Sequence, residues 1–394
     1  MSGPPKPLQI LMIGPGGLWE PRAGGELRTH HLARGLSHLG HRVDVIGLVA
    51  RNHPTGRRRI DEQLTITQTH SLWLDLASLA DRAGVVPITT LPQWLRLMRG
   101  RIRRWTAARP YDVVEFVYPW FAYLYGAVGG NARVVYGAHN VESEYWRARL
   151  AAHPLGGWFA RGLRRHELTA ATRADGVVVC SEHDQRWFQE EAPEARPPVV
   201  VPNGYDAETV EQPSPATRDQ SRRLLGLGAD EKIAVFIGHD TAPNREAVEA
   251  ILKHVVPRQG PSGPMRTVIV GRVCAAFRGQ QVEGVRWEGR VHDVRPYLYA
   301  ADVGLNPIQS GSGSNIKLVE YCAARLPVIT TEFGLRGFEA LRPWVHVAET
   351  GQFAAAISRT AWPNPIAQSA LDPFSWGALA AKLSAFYQLL LEER

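Results

Sequence analysis

The chain has 394 residues, 44% of them hydrophobic, and a formal net charge of +7. That length suits two domains of ordinary size with a core each, and the composition excludes a disordered or collagen-like chain. Three cysteines far apart, Cys180, Cys274 and Cys322, make neither a disulfide framework nor a metal cluster and fit a reducing cytoplasm. The basic character is almost all arginine, 40 residues against 5 lysines. Such an excess suits nucleic acid, anionic lipid or a phosphate-bearing substrate, and it also arises from coding bias. The arginines are scattered, dense only at Arg57-Arg58-Arg59 and from Arg96 to Arg109. The apolar run Leu8 to Ile13 is too short for a signal peptide, and no stretch approaches the roughly 18 apolar residues of a membrane span.

In chain order, Leu8 to Ile13 reads as a buried strand ending in Gly14-Pro15-Gly16-Gly17. A helix over 26–39 follows, with Leu27, Leu32, Leu36 and Leu39 apolar and Gly40 as its stop. Arg42 to Gly47 is the next strand, residues 51–62 a polar loop, and Leu64 to Thr69 another strand. Helix 92–107 leads into strand Asp112 to Val117, and further strands are Arg133 to Gly137, Gly176 to Cys180 and Pro198 to Val201. Near-continuous apolar strands alternating with helices predict a parallel sheet covered on both faces.

The pattern breaks after Val201-Pro202-Asn203-Gly204-Tyr205-Asp206. Residues 207–230 read as a linker with a short helix, and then the alternation restarts. Strands are predicted at Lys232 to Gly238, Met265 to Gly271, Val285 to Gly289, Asp302 to Ile308 and Pro327 to Thr331. Helices are predicted at 244–256, Val294 to Tyr299, 314–325 and about 374–392. The sequence therefore predicts two doubly wound α/β domains in series.

The run Ser310-Gly311-Ser312-Gly313-Ser314-Asn315-Ile316-Lys317-Leu318-Val319-Glu320 carries the most chemistry. A strand, a small-residue loop and a helix N-terminus make an anion site, because free N–H groups and the helix dipole point at it. Ser314 is placed to N-cap the helix. Gly313, Lys317 and Glu320 share one face, where Lys317 supplies a mobile positive charge and Glu320 an acceptor pair suited to sugar hydroxyls. Phosphate and sugar on one ligand describe a nucleotide sugar. A Lys–Glu pair alone would equally suit a solvent-facing helix; the Gly/Ser loop before it shifts the balance.

Other motifs are weaker one by one. Gly14-Pro15-Gly16-Gly17 with Gly24-Gly25-Glu26 lacks the dinucleotide spacing, yet Gly24 and Gly25 stand where open α/β sheets bind ligands. His139 follows a strand at its carboxyl end, well placed for a functional role, although a lone histidine there is more often a loop residue satisfied by a backbone carbonyl. Gly238-His239-Asp240 ends a strand, and Arg245 at the next helix N-terminus suits a phosphate clamp. Trp94 to Trp105 resembles a membrane-surface helix, but its single apolar stripe favours packing on the sheet, with the Arg face free to touch anionic headgroups. There is no Asp-x-Asp, no Gly-x-Ser-x-Gly, no Walker loop and no His-Glu-x-x-His.

Several stretches occur in the order of one family. They are Gly24-Gly25-Glu26, His139-Asn140-Val141-Glu142-Ser143, Val179-Cys180-Ser181-Glu182, Val201 to Asp206, Phe236-Ile237-Gly238, Val285 to Gly289, and the run from Ala301 to Thr331. The chain resembles the GT-B-fold glycosyltransferases, specifically the retaining family four. The resemblance implies two Rossmann-like domains with an interdomain cleft: an acceptor domain over 1–205, a nucleotide-sugar domain over 206–372, and a closing helix 373–394 that crosses back to the first. It implies metal-independent transfer with retention, and no cofactor beyond the UDP-, GDP- or dTDP-linked donor sugar.

By position, His139 looks like the catalytic-site histidine and Glu320 like the glutamate on the ribose hydroxyls. Arg245, Lys317 and the amides of Gly311, Ser312, Gly313, Ser314 and Asn315 would line the diphosphate. Gly24, Gly25, Gly238 and His239 would lie at the donor, and Arg290 with Val291 at its base. Two departures stand out. Ser312 takes the place of the first of two glutamates eight positions apart, and His239 that of the usual Arg.

The resulting expectation is a cytoplasmic glycosyltransferase that uses a nucleotide sugar and a glycan, lipid-linked sugar or small-molecule acceptor. Peripheral contact with the cytoplasmic face of a membrane is left open by the Arg-rich N-terminal domain. Three alternatives remain at this stage. A nucleotide-sugar epimerase-like enzyme would isomerise the donor without releasing nucleoside diphosphate. A non-catalytic nucleotide-binding module would bind without turnover. A nucleic-acid-binding protein would show steep salt dependence, though no compact basic or stacking motif supports it.

Overall fold

The computed structural model describes residues 6–21, 23–82, 98–151, 153–210, 212–228, 230–259, 265–311, 313–358 and 366–393. The chain divides into two compact units, Met1–Pro202 with Trp376–Arg394, and Asn203–Ser375. The first break thus lies three residues before the one expected at 205, and the closing helix is part of the first unit.

The first unit holds β1 (Gln9–Pro15), β2 (Arg42–Val49), β3 (Gly56–Arg59), β4 (Leu64–His70), β5 (Val113–Val117), β6 (Arg133–Gly137), β7 (Gly176–Val179) and β8 (Val199–Val200). They form one sheet in the order β3-β4-β2-β1-β5-β6-β7-β8, parallel except where β3 runs antiparallel to β4. Strand β3 lies within the expected 51–62 loop. Its residues are all exposed, and charged side chains on an edge strand hide the alternation that would mark it while discouraging further pairing.

Its helices are α1 (Gly24–His38), α2 (Leu72–Arg82), α3 (Arg99–Ala107), α4 (Glu142–Arg149), α5 (Gly156–Arg173) and α6 (Glu182–Glu191). Of the helix expected over 92–107, residues 92–97 lie outside the described residues. Side chains of β1 alternate across the sheet. Ile10 and Met12 face a layer with α1 and the closing helix, whereas Leu11 and Ile13 face Ile102, Phe121 and Leu163. Both faces are therefore buried, as the apolar strands require.

The second unit begins with α7 (Pro215–Leu224) and holds β9 (Lys232–Ile237), β10 (Met265–Val270), β11 (Val285–Gly289), β12 (Val303–Asn306), β13 (Val328–Thr330) and β14 (His346–Val347). The order β11-β10-β9-β12-β13-β14 is parallel throughout. Its helices are α8 (Ala242–His254), α9 (Val256–Gln259), α10 (Arg295–Ala300), α11 (Ile316–Ala323), α12 (Phe353–Ile357) and α13 (Gln368–Leu371); the closing helix, in the first unit, is α14 (Trp376–Glu392). Ile233 and Val235 face one core layer, Ala234 and Phe236 the other.

Each sheet has a topological switch point, between β1 and β5 in the first and between β9 and β12 in the second. Open α/β sheets bind ligands outside the carboxyl ends of the strands at such points. The helix expected over 314–325 is shorter, and Ser314 is not its cap. Asn315 precedes the helix with extended backbone, and neither residue's side chain caps it. Ser314 Oγ instead accepts from Asn203 N at 3.4 Å, which ties the Val201-to-Asp206 motif to the loop.

Candidate active site

In the second unit the carboxyl ends of β9 and β12 meet the first turns of α8 and α11. Tyr321 fixes this geometry. Its hydroxyl accepts from Ile237 N at 2.9 Å, locking α11 to the end of β9. The ring is buried where a Cβ on Gly304 would approach Tyr321 Cδ2 to 2.5 Å, so β12 needs glycine there.

Lys317 is then held in place. Its Nζ donates to Asn244 Oδ1 at 2.6 Å and stands 4.3 Å over the Phe236 ring. Asn244 Nδ2 donates to His239 O at 2.9 Å, which turns its oxygen toward the lysine. Gly238 permits this convergence, since a Cβ there would lie 3.0 Å from Phe236 and 3.1 Å from Asn244. Glu320 follows one turn later on the same helix. Both residues keep part of their surface in solvent, but their ionisable ends are enclosed. Burial lowers the Lys317 ammonium to about 7, with Glu320 opposing the shift. Burial likewise pushes the Glu320 carboxyl up to about 7 against the pull of Lys317.

The loop before α11 runs along α8. Gly311 has φ 112°, and a Cβ on it would stand 3.0 Å from Pro243; Ser310 bonds Glu246. Gly313, with φ 65°, accepts from Arg336 Nε at 3.0 Å. Asn315 Nδ2 donates to Gly334 O at 3.2 Å. Ser312 lies outside the described residues. Lys317 stands in the first turn of α11, where a helix leaves its N–H groups without intrahelical partners.

Arg245 does not join Lys317. Its guanidinium is half-exposed and its Nε donates to Asp240 Oδ1 at 2.6 Å, a surface pair. His239 is exposed. Arg290 lines a pocket of about 770 Å³ at the carboxyl ends of β10 and β11, with Asp240, Arg272, Phe277 and Trp287. Phe277 and Trp287 stack at 5.4 Å. Val291 packs against the core rather than into this pocket.

His139 belongs to the first unit, at the carboxyl edge of β6. It is 7% exposed, and its Nδ1 has no hydrogen-bond partner among the described residues. Burial, reinforced by the Arg28 charge, holds the ring well below its ordinary pKa and so neutral at pH 7. Gly24 and Gly25 open α1 instead of preceding it. Glu26 accepts from Ala23 N at 3.1 Å and Gly17 N at 3.0 Å, closing the loop around the helix start. The space above Gly25 is taken by this unit's own side chains, since a Cβ there would lie 2.5 Å from Tyr118 Oη and 2.8 Å from His139 Nδ1.

Sequence reasoning missed Asn244, Phe236 and Tyr321. Asn244 stands beside the Arg245 that drew attention, and only the amide's contact with Lys317 distinguishes it. Phe236 and Tyr321 read as core residues, which they also are.

Two units of mainly parallel sheet, each with a topological switch point, match the architecture of the GT-B-fold glycosyltransferases. Residues 22–209 match Glycosyltransferase Family 4 and residues 231–361 match Glycosyl transferases group 1. The chain belongs to the family-four-like glycosyltransferases. It is 29% identical over 123 residues to TuaC of Bacillus subtilis (strain 168), a glycosyltransferase ascribed to teichuronic acid biosynthesis; this match spans 30% of the chain and 29% of that protein. In fold it is similar to sucrose-phosphate synthase from Thermosynechococcus elongatus, with a TM-score of 0.75 at 16% identity over 98% of this chain and 100% of that one. It is also similar to Anabaena HepE in complex with UDP and glucose, with a TM-score of 0.60 at 14% identity over 98% of each chain. Among the described residues no three His, Cys, Asp or Glu side chains stand together as a metal site would need, and no helix is long and apolar enough to cross a membrane.

Proposed function

We propose that the protein is a retaining, metal-independent glycosyltransferase that moves a sugar from a nucleoside-diphosphate sugar to a hydroxyl of a glycan, lipid-linked sugar or small-molecule acceptor. The observation that carries the reading is Lys317, held by Asn244 over Phe236 beside the 310–315 loop at the start of α11. A cation fixed among free N–H groups suits a diphosphate whose charge grows as the glycosidic bond breaks. Glu320, one turn on, would hold the ribose hydroxyls.

In the step, the bond between the anomeric carbon and the diphosphate oxygen breaks, and its electron pair leaves with the phosphate. The acceptor oxygen bonds the same face of the carbon, and its proton passes to the departing phosphate oxygen. The products are a glycoside and a nucleoside diphosphate. His139, neutral and unpaired at Nδ1, would orient a substrate hydroxyl. Arg245 would serve the phosphate only after leaving Asp240. The UDP and glucose bound by HepE support a uridine donor first among the three bases, and the TuaC match supports a glycan acceptor.

The test is a thermal-shift panel of uridine, guanosine and thymidine diphosphates and their sugars, followed by product analysis with chelator present. A ligand at 100 times its Kd adds about 2.7 kcal/mol of stability. Retention is read from the anomeric configuration of the product. Absence of any shift, or an inverted product, rejects this reading; an isomerised donor without free nucleoside diphosphate replaces it with epimerisation.

A further inference from the structure

We propose that Tyr118 is a substrate-binding residue of the first unit, its hydroxyl acting together with His139 Nδ1 on one sugar hydroxyl. The proposal rests on the glycosyl-transfer reading and deepens it.

Tyr118 directly follows β5, which neighbours β1 across the switch point of the first sheet, where ligands of open α/β sheets bind. Its backbone is unusual. Tyr118 has φ 79° and ψ 153°, and it is one of two non-glycine residues with positive φ among the described residues. Any residue bearing a Cβ resists that conformation, and glycine would adopt it freely. Strain held in place at a strand end points to a side chain kept for its own use. Three contacts maintain it. Tyr118 N donates to Gly137 O at 3.1 Å. The ring stacks on Trp120 at 5.7 Å and 19°, and it lies 5.0 Å from the His139 ring.

The polar atoms converge. The point where a Cβ of residue 25 would stand is 2.5 Å from Tyr118 Oη and 2.8 Å from His139 Nδ1, so both face the first turn of α1. His139 Nδ1 is buried without a hydrogen-bond partner, so it makes no bond with the Tyr118 hydroxyl beside it. An unpaired imidazole nitrogen beside a phenol is what a substrate hydroxyl satisfies. The phenol O–H donates to the hydroxyl oxygen, and the hydroxyl donates to the ring nitrogen. Plain packing accounts for the stacking on Trp120 but not for a buried imidazole nitrogen left unpaired beside a hydroxyl.

The hydroxyl could belong to the donor sugar or to the acceptor, and the experiment separates them. In the full chain, Tyr118→Phe keeps the ring and removes only the O–H. It is assayed with the nucleotide sugar that the wild type turns over in the uridine, guanosine and thymidine panel, for transfer and for donor hydrolysis without acceptor. Y118F is expected to lose at least about tenfold in kcat at an unchanged melting temperature. Loss of both reactions places the contact on the donor sugar, and loss of transfer alone places it on the acceptor. Should Y118F melt lower, activity is normalised to the molecules that bind uridine diphosphate. Wild-type kcat and KM in Y118F overturn the proposal while leaving glycosyl transfer standing. Absence of wild-type turnover with every donor removes both.

Discussion

Lys317 Nζ donates to Asn244 Oδ1 at 2.6 Å, a bond that joins the first turn of α11 to the first turn of α8 across 73 residues of sequence. It couples the two helix starts that flank the switch point of the second sheet. Asn244 is itself oriented by its bond to His239 O, so the position of the cation depends on a residue that carries no charge.

Asn244→Ala should therefore damage the site without removing its charge. A hydrogen bond to a charged group contributes about 1.5–3 kcal/mol, part of which solvent replaces at this half-open position. We expect kcat/KM for the donor to fall roughly tenfold, or about 1.4 kcal/mol, with little change in melting temperature. K317A should fall at least as far, and the double variant N244A/K317A no further than K317A. Additive losses in that cycle would show that Asn244 does not act through the lysine.

What was legible in the sequence was whatever local pattern encodes. Apolar strands such as Leu8 to Ile13 and Met265 to Gly271, and the Gly/Ser run into α11, declare themselves by burial and by spacing. Strand β3 did not, because three exposed arginines leave no alternation to read. Ser314 looked like a cap because it precedes an apolar run, yet its hydroxyl is engaged by Asn203, a partner 111 residues away. Arg245 looked like the phosphate clamp by charge and position, and Asp240 holds it instead. A partner 111 residues away leaves no trace in spacing, and a neighbour such as Asp240 does not announce which charge it will hold.

Gly25→Ala tests the packing above α1. In an open helix position, glycine to alanine gains about 0.5–1 kcal/mol. Here the new Cβ would come 2.5 Å from Tyr118 Oη and 2.8 Å from His139 Nδ1, and overpacking of that sort costs about 1–3 kcal/mol. The clash outweighs the propensity, so G25A should be destabilised and should lose most of its turnover. Gly162 in α5 has nothing within 4 Å of its notional Cβ, and G162A should melt higher than wild type. Chemical denaturation of both variants decides; a stabilised G25A would mean that the two side chains move aside freely.

Glu142 gives a pH dependence of stability. Burial pushes its carboxyl up to about 8, and Glu167 beside it adds to the shift, while Asn140 Nδ2 donates to it at 2.8 Å and opposes it. A folded-state pKa raised above the unfolded value means that the folded protein binds the proton more tightly. The contribution to stability is complete below the unfolded value and is lost as pH rises through about 8. Glu142→Gln keeps the shape and an acceptor for Asn140 but cannot ionise. Relative to wild type, E142Q should gain stability between pH 5 and pH 9, as read from urea midpoints at both values. A constant difference across that range would show that Glu142 does not titrate there.

The Lys317–Glu320 pair should shape catalysis as well as stability. Both groups titrate at about 7, the lysine lowered and the glutamate raised by burial. Donor binding needs the lysine charged, which fails as pH rises, and the glutamate ionised as an acceptor for ribose hydroxyls, which fails as pH falls. The pair then titrates in two coupled steps, and kcat/KM for the donor should pass through a narrow maximum near pH 7. Glu320→Gln removes the acid limb. It also removes the charge that raises the Lys317 pKa, so the alkaline limb should move to lower pH, and the variant should be most active below the wild-type optimum. Bound diphosphate restores the lysine proton, so kcat at saturating donor should decline at higher pH than kcat/KM does. A flat kcat/KM from pH 6 to 8 would exclude Lys317 as the group that meets the phosphate charge.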